Sequence, residues 1–96
     1  MTALPLSSHM NRQRAELAAA LELAPTSLRI EIMRAAIVLY GGTTTPLRDN
    51  TDGGLTFPNF TVLGVTGDGA TEVEAIAEWT KAATRMTLAA EEEVAA

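Results

Sequence analysis

The clearest indication of the fold is the segment TEVEAIAEWTKAATRMTLAA, which occupies residues 71–90. The Thr71 hydroxyl can accept a hydrogen bond from the first helical turn, and the Glu74 side chain, three residues later, can accept one from the backbone N–H of Thr71. This is the capping-box pattern of a helix N-terminus. Glu72 adds negative charge where the helix dipole favours it. We therefore predict a helix over residues 71–90.

Apolar side chains recur along this helix at spacings of three and four residues. They are Ile76, Trp79, Ala83, Met86 and Ala90. Such spacing forms the seam of a short coiled-coil-like packing. The seam either closes the chain's own core or meets a partner. Trp79 would anchor either arrangement, since large aromatic side chains dominate both cores and interfaces.

Two further helices are predicted upstream. Residues 9–24 are mostly good helix formers, and Pro25 ends this helix because the residue before a proline is disfavoured in the α conformation. Thr26 or Ser27 can then cap a second helix over residues 27–40. We expect the two helices to form a hairpin.

The second helix carries apolar residues on two stripes. These are Leu28, Ile32, Ala36 and Leu39 on one side, and Ile30, Met33, Ile37 and Tyr40 on the other. Two apolar stripes indicate packing on two sides, so we expect this helix to lie centrally. Gly41 can end it in the left-handed conformation that residues with a side chain resist.

The middle of the chain differs in composition from the rest. Alanine is almost absent between residues 43 and 70, where Thr, Gly, Asp, Asn and Pro dominate. Two short runs rich in β-branched and aromatic residues, 55–57 and 60–65, flank Pro58 and Asn59, a pair suited to a turn. These runs predict a short β-hairpin.

Together these elements predict a mostly helical α+β fold. Its elements are three helices, over about residues 9–24, 27–40 and 71–90, and a short β-hairpin in the 55–65 segment. A chain of 96 residues normally forms one domain, so we assign residues 1–96 to a single small domain. We expect its ends, residues 1–8 and 92–96, to be frayed.

The composition predicts a thin core. Hydrophobic residues make up 47% of the chain, and 17 of them are alanine. Alanine contributes little transfer free energy per residue, and a domain under about 100 residues buries a low fraction of its surface. Partner surface could supply the missing burial, so we expect self-association.

The net charge of −5 is unevenly distributed. Residues 1–48 carry five Arg and three Glu, a net of +2, whereas residues 49–96 carry nine acidic and two basic residues, a net of −7. An acidic surface repels DNA and anionic lipid and can steer a basic partner. Glu72, Glu74 and Glu78 are the candidate contacts for such a partner.

Several classes of protein are excluded or disfavoured by absences in the sequence. There is no cysteine, which excludes disulfides, thiolate metal sites and a cysteine nucleophile. Arg29, Glu31 and Arg34 interrupt the most apolar stretch, so no segment reaches the roughly 18 residues of a membrane span. The first residues lack the basic and apolar regions of a secretion signal, so we expect a cytoplasmic protein.

We predict no catalytic residue, no cofactor and no metal site. His9 is the only histidine and has no acidic residue within six positions. The 49–54 loop fits the middle of a calcium-binding loop, but Arg48 and Asn59 stand where carboxylates are needed at its ends. The 64–69 stretch is glycine-rich but lacks the Lys or Arg of a phosphate loop, so we interpret it as a strand-to-helix turn.

The leading hypothesis is a small non-enzymatic protein–protein interaction or assembly module that associates with itself. No group of residues in the sequence fits a catalytic or metal-binding site. The third helix and the middle segment also carry more apolar side chains than a minimal three-helix interior requires. The candidate interface residues are Trp79, Ile76, Met86, Phe57 and Phe60, together with the acidic Glu72, Glu74 and Glu78.

Two other hypotheses come from different classes. The first is a small enzyme or metal-binding protein that uses the loop carboxylates Asp49, Asp52 and Asp68. The second is a DNA-binding regulator resembling a helix-turn-helix protein. The sequence disfavours direct nucleic-acid binding, because the second helix is apolar on two stripes and Arg29 and Arg34 point about 140° apart around it.

Overall fold

The computed structural model describes residues 6–45, 48–50 and 54–95, and the surroundings of the side chains over 9–45 and 57–91. In chain order, its elements are α1 (Leu6–Leu23), α2 (Thr26–Tyr40), β1 (Thr43–Thr45), β2 (Arg48–Asn50), β3 (Gly54–Thr56), β4 (Asn59–Val62), β5 (Val65–Asp68) and α3 (Glu72–Ala95). The predicted class, a mostly helical α+β fold, is confirmed.

The three predicted helices are present, and each is longer than predicted. α1 begins at Leu6 rather than at residue 9, and α3 continues to Ala95, beyond the predicted end at residue 90. Leucine, alanine and glutamate are good helix formers, and in α3 this propensity outweighs the unfavourable position of Glu91 near the negative end of the helix dipole. Parts of both segments that we expected to fray are therefore helical.

Two helix ends follow the predicted local signals. Gly41 takes a left-handed conformation with φ 77° and ψ 33°, and its N–H donates to the Ile37 carbonyl at 2.9 Å. At the start of α3, the Thr71 hydroxyl accepts the Glu74 N–H at 3.1 Å. The Glu74 carboxylate accepts the Ala70 N–H at 3.0 Å, one residue before the position that a standard capping box uses.

α2 begins without the predicted side-chain cap. Pro25 stands before its first residue with φ −61° and ψ 149°, and no side chain caps this end. Thr26 and Ser27 are both exposed. The Leu28 N–H donates instead to the Pro25 carbonyl at 2.9 Å. Proline suits this place because its fixed φ is compatible with entry into a helix.

The main sheet is antiparallel, with strand order β1-β4-β5. β4 and β5 form a hairpin whose turn is Leu63 and Gly64, with φ 54° and 75°. Two residues of positive φ match the twist of antiparallel strands. The predicted turn at Pro58 and Asn59 is wrong, because proline cannot adopt a positive φ. The segment before it, β3, pairs with β2 instead.

β5 occupies most of the 64–69 stretch that the sequence predicts as a turn. Gly67 lies in this strand, directly beneath α3. A Cβ atom added at Gly67 would stand 2.6 Å from Trp79 Cα and closer still to the Ala75 carbonyl oxygen. Only glycine lets the backbone of α3 approach the strand this closely.

The core lies where α1, α2 and α3 meet one face of the sheet. Its largest fully enclosed side chains are Trp79, Phe60, Leu21, Met33, Ile76 and Val62, together with Pro58. The Trp79 indole N–H donates to the Val62 carbonyl at 3.3 Å, so the buried polar group of this side chain has a partner. The core therefore joins the first part of α3 to the hairpin.

Candidate interaction surface

α2 packs its inner side on the rest of the chain. Met33 is fully buried, and Ile30, Ile37 and Tyr40 pack against the core cluster. These residues form the second stripe predicted from the sequence. The main contacts of α2 are with α1, α3 and β4. One predicted packed side is therefore present.

The opposite side of α2 is apolar and largely exposed. Val38 is 86% exposed, Leu39 74% and Leu28 45%. Ala35 is also exposed, and Ile32 is partly exposed. We name these five residues the α2 face. The predicted packing of the first stripe is only partly present: Ala36 is buried and Ile32 packs against the core, whereas Leu28 and Leu39 are exposed. Adjacent exposed apolar residues of this kind mark interaction sites more often than scattered ones do.

Two exposed charged residues flank the α2 face, Glu31 and Arg34. The Arg34 Nη2 atom lies 3.4 Å from each carboxylate oxygen of Glu72, at the start of α3. The Arg34 side chain is 63% exposed in this pair. An ion pair this open to water contributes little to stability, so Arg34 can exchange partners at small cost.

Three of the predicted interface side chains lie in the interior instead. Trp79 is 0% exposed, and Ile76 and Phe60 are equally enclosed. The prediction assumed more apolar area than one subunit could cover, but the hairpin and α1 pack on the same part of α3. Phe57 and Met86, the other two apolar candidates, are exposed.

The three predicted acidic contacts are each engaged within the chain. Glu72 pairs with Arg34, and Glu74 caps α3. Glu78 accepts a hydrogen bond from the Lys81 ammonium at 3.2 Å. Glu72 and Glu74 are also two residues apart on a helix, so they point about 160° apart. These carboxylates do not form one continuous acidic surface.

The two described aspartates of the enzyme hypothesis, Asp49 and Asp68, lie in different elements. Asp68 is exposed at the end of β5, Asp49 belongs to β2, and Asp52 lies outside the described residues. His9 is exposed on α1. Within the described residues, no three His, Cys, Asp or Glu side chains come close enough to hold a metal ion.

A surface depression of about 410 Å³ lies between α1, the end of α2 and the hairpin turn. Its lining residues are Met10, Gln13, Tyr40, Gly41, Gly42, Thr43, Thr61, Leu63 and Gly64. None of them is a carboxylate, an imidazole or an amine. The lining therefore offers no pairing of a nucleophile with a general base.

Two arginines of α2 contact other parts of the chain. The Arg29 Nε atom donates to the Ala24 carbonyl at 3.2 Å, and its Nη2 atom donates to the Glu22 carbonyl at 3.5 Å, at the C-terminal end of α1. Arg34 is engaged by Glu72. Both arginines that a DNA-binding second helix would offer to phosphates therefore contact the protein itself.

Arg14 is buried on α1 and is bonded to the hairpin turn. Its Nε atom donates to the Leu63 carbonyl at 2.7 Å, and its Nη1 atom donates to the Asn11 side-chain oxygen at 2.9 Å. Leu63 has the positive φ of 54° that costs energy for a residue with a side chain. Arg14 therefore stabilises the turn by satisfying its carbonyl group.

We expect Arg14→Met to lower the free energy of unfolding by about 1–3 kcal/mol, because the Leu63 carbonyl loses a charged donor in a partly buried place. Urea denaturation followed by circular dichroism measures this change. Arg12→Met is the matched control, since Arg12 is exposed on the same helix and its loss changes the net charge equally. Equal unfolding free energies for the two variants would contradict the assigned role of Arg14.

Sequence reasoning did not find Val38 or Ala35 as surface residues, although the sequence contains a signal. Val38 follows Glu31 by seven residues and Arg34 by four, so it shares their side of the helix. An apolar residue on the charged side of a helix is the pattern that points to an external contact.

Comparison with known proteins adds no information on function. No family model, no curated protein and no solved structure matches this chain. Among the described residues, no helix combines the length and the apolar character that crossing a bilayer requires.

Proposed function

We propose that this chain is a small non-enzymatic protein–protein interaction module that associates with itself through the α2 face. The observation that carries the proposal is the exposure of Val38 and Leu39 on a helix whose other side is already packed. Burying such side chains is worth about 1.5–3 kcal/mol each, which gives them a driving force toward a partner surface.

The rest of the surface supports the choice of α2. The other large apolar side chains that are exposed are scattered: Leu23 lies on α1, Phe57 lies between β3 and β4, and Met86 and Leu88 on α3 point about 160° apart. Exposed apolar residues that occur singly are ordinary. The α2 face instead has three exposed large apolar residues, Leu28, Val38 and Leu39, within one helix of 15 residues. The predicted homo-oligomeric state and cytoplasmic location are part of this proposal.

Sedimentation equilibrium tests the proposal. We expect the average mass of the wild-type protein to rise above the monomer mass of 10.1 kDa as concentration increases. The double variant Val38→Ser/Leu39→Ser should weaken association by about tenfold or more, because it removes most of the apolar area that a partner would cover.

Leu88→Ser is the matched control, since Leu88 is an exposed apolar residue on α3. Circular dichroism should give both variants the helix content of the wild type, because all three side chains are solvent-exposed. If the wild type remains a monomer at high micromolar concentration, or if Leu88→Ser weakens association as much as the double variant, the proposal is wrong.

A further inference from the structure

Arg14 carries a positive charge into the interior without an acidic partner. The residue is 9% exposed, and the two oxygens that accept its hydrogen bonds, on the Leu63 carbonyl and the Asn11 amide, are neutral. Within the described ranges, neither ion pair of the chain involves Arg14. Arginine is rarely buried to this degree without an opposite charge beside it. The described residues therefore leave the charge of this guanidinium unbalanced.

The Arg14 Nη2 atom lies at the edge of the depression of about 410 Å³ beside the hairpin turn. A Cβ atom added at Gly64 would stand 3.1 Å from Nη2 and 3.7 Å from Met10 Cε, and both Gly64 and Met10 line the depression. Nη2 makes no hydrogen bond to a described residue, and no described side-chain nitrogen is wholly enclosed without a partner. Nη2 is therefore accessible at this edge.

The rest of the lining suits a small molecule with an apolar body. Met10, Leu63 and the Tyr40 ring supply apolar surface, and Gln13 offers an amide. No residue of the lining is charged, so the Arg14 guanidinium supplies the positive charge at this place. A volume of this size lies within the range of small-molecule sites.

One negative charge fits this place better than two. α2 ends at Tyr40, and Gly41 and Gly42 line the depression at the negative end of the helix dipole. A single guanidinium offsets one negative charge, and the dipole opposes a second. The planar guanidinium also matches the geometry of a carboxylate. A monocarboxylate therefore suits the site better than a phosphate dianion.

We propose that this depression binds a small carboxylic acid, with its carboxylate on Arg14 and an apolar or aromatic body against Met10, Leu63 and Tyr40. Arg14 then has two roles, because its Nε atom bonds the hairpin turn and its Nη2 atom donates to the ligand. The site goes beyond the proposed self-association and does not depend on it.

Titration with benzoate, followed by ¹H–¹⁵N NMR of the wild-type protein, tests the site. Gly41, Gly42 and Gly64 line the depression, whereas Gly67 and Gly69 do not. We expect saturating shifts of the first three amide signals with a Kd of about 1 mM, and no shift of the other two. Benzamide has nearly the same shape without the charge and should bind about tenfold more weakly. Inorganic phosphate should also bind more weakly than benzoate.

Two charge variants locate the carboxylate. Gln13→Glu adds a negative charge to the lining with little change in shape and should weaken benzoate binding by about tenfold. Ala15→Glu is the matched control, because it adds the same charge at an exposed position of α1 about 160° around the helix from Gln13. It should leave benzoate binding nearly unchanged.

Arg14→Met should abolish the saturating shifts. If this variant does not fold, Gln13→Glu still decides, since it keeps the bonds of Arg14 to the turn. Benzamide that binds as tightly as benzoate would overturn the recognition of a carboxylate, and phosphate that binds more tightly would overturn the choice of a monoanion. Equal effects of Gln13→Glu and Ala15→Glu, or shifts that never saturate, would overturn the location. Sedimentation reports self-association separately, so failure here leaves that proposal intact.

Discussion

Gly67→Ala is expected to lower the free energy of unfolding by about 3 kcal/mol or more. A Cβ atom at this position would stand 2.6 Å from Trp79 Cα, and its other close neighbours are also backbone atoms of α3. Backbone atoms cannot rotate away as the end of a flexible side chain can. The variant must therefore move β5 away from α3, which weakens the packing of the hairpin on the third helix. Urea denaturation measured by circular dichroism gives the change.

Gly41→Ala is the control for this variant. Gly41 has a positive φ of 77° but no atom within 4 Å of an added Cβ. Its substitution should cost only the roughly 1–2 kcal/mol of the left-handed conformation. If Gly67→Ala is no more destabilising than Gly41→Ala, the close approach of α3 to β5 is not a constraint on the fold.

Trp79→Ala should destabilise the protein by about 3–5 kcal/mol. The side chain is 0% exposed, and its removal leaves a large cavity between α3 and the hairpin. It also leaves the Val62 carbonyl without the indole donor. Small domains are stable by about 5–15 kcal/mol in total, so this loss takes a large share of the stability. Circular dichroism is the right probe, since Trp79 is the only tryptophan.

Phe57→Ala is the control for Trp79→Ala, because Phe57 is an aromatic residue that the structure leaves exposed. It should change the unfolding free energy by about 0.5 kcal/mol or less. The comparison distinguishes the two roles that the sequence left open for the apolar seam of α3, which are closing the chain's own core and meeting a partner. A small effect of Trp79→Ala, similar to that of Phe57→Ala, would contradict the enclosure of Trp79 within one subunit.

The features that could be predicted from the sequence are those determined by neighbouring residues. The capping pair Thr71 and Glu74 depends on a spacing of three residues, and Gly41 depends on the conformational freedom of one residue. Pro25 separates the first two helices because its ring restricts the residue before it. Local chemistry of this kind places helix ends without knowledge of the rest of the fold.

The strand pairing could not be predicted in the same way. Pro58 and Asn59 have a composition suited to a turn, but the hairpin uses Leu63 and Gly64, where the backbone takes two positive φ values. Leucine is unfavourable in that conformation, so composition alone does not predict a turn at this position. The turn is held partly by Arg14, which is 49 residues away in the chain. A contact at this separation gives no local signal.

The candidate site shows the same limit. The apolar pattern of α2 predicts two packed sides, yet which stripe faces the core depends on how α3 and the hairpin share the interior. Trp79 is a residue type that often anchors interfaces, but the hairpin and α1 cover it. Val38 and Leu39 remain exposed because no element within the described ranges lies over them. Burial of this kind is decided by the whole fold, not by the residue.

Methyl NMR of the wild-type protein over a dilution series tests the central claim most directly. The claim is that the chain associates with itself through the α2 face. We predict concentration-dependent shifts of the Leu28, Val38 and Leu39 methyl signals from micromolar to millimolar protein, with the Leu88 signals unchanged. Spectra that superimpose over the whole range, or shifts at Leu88 without shifts on α2, would contradict the account.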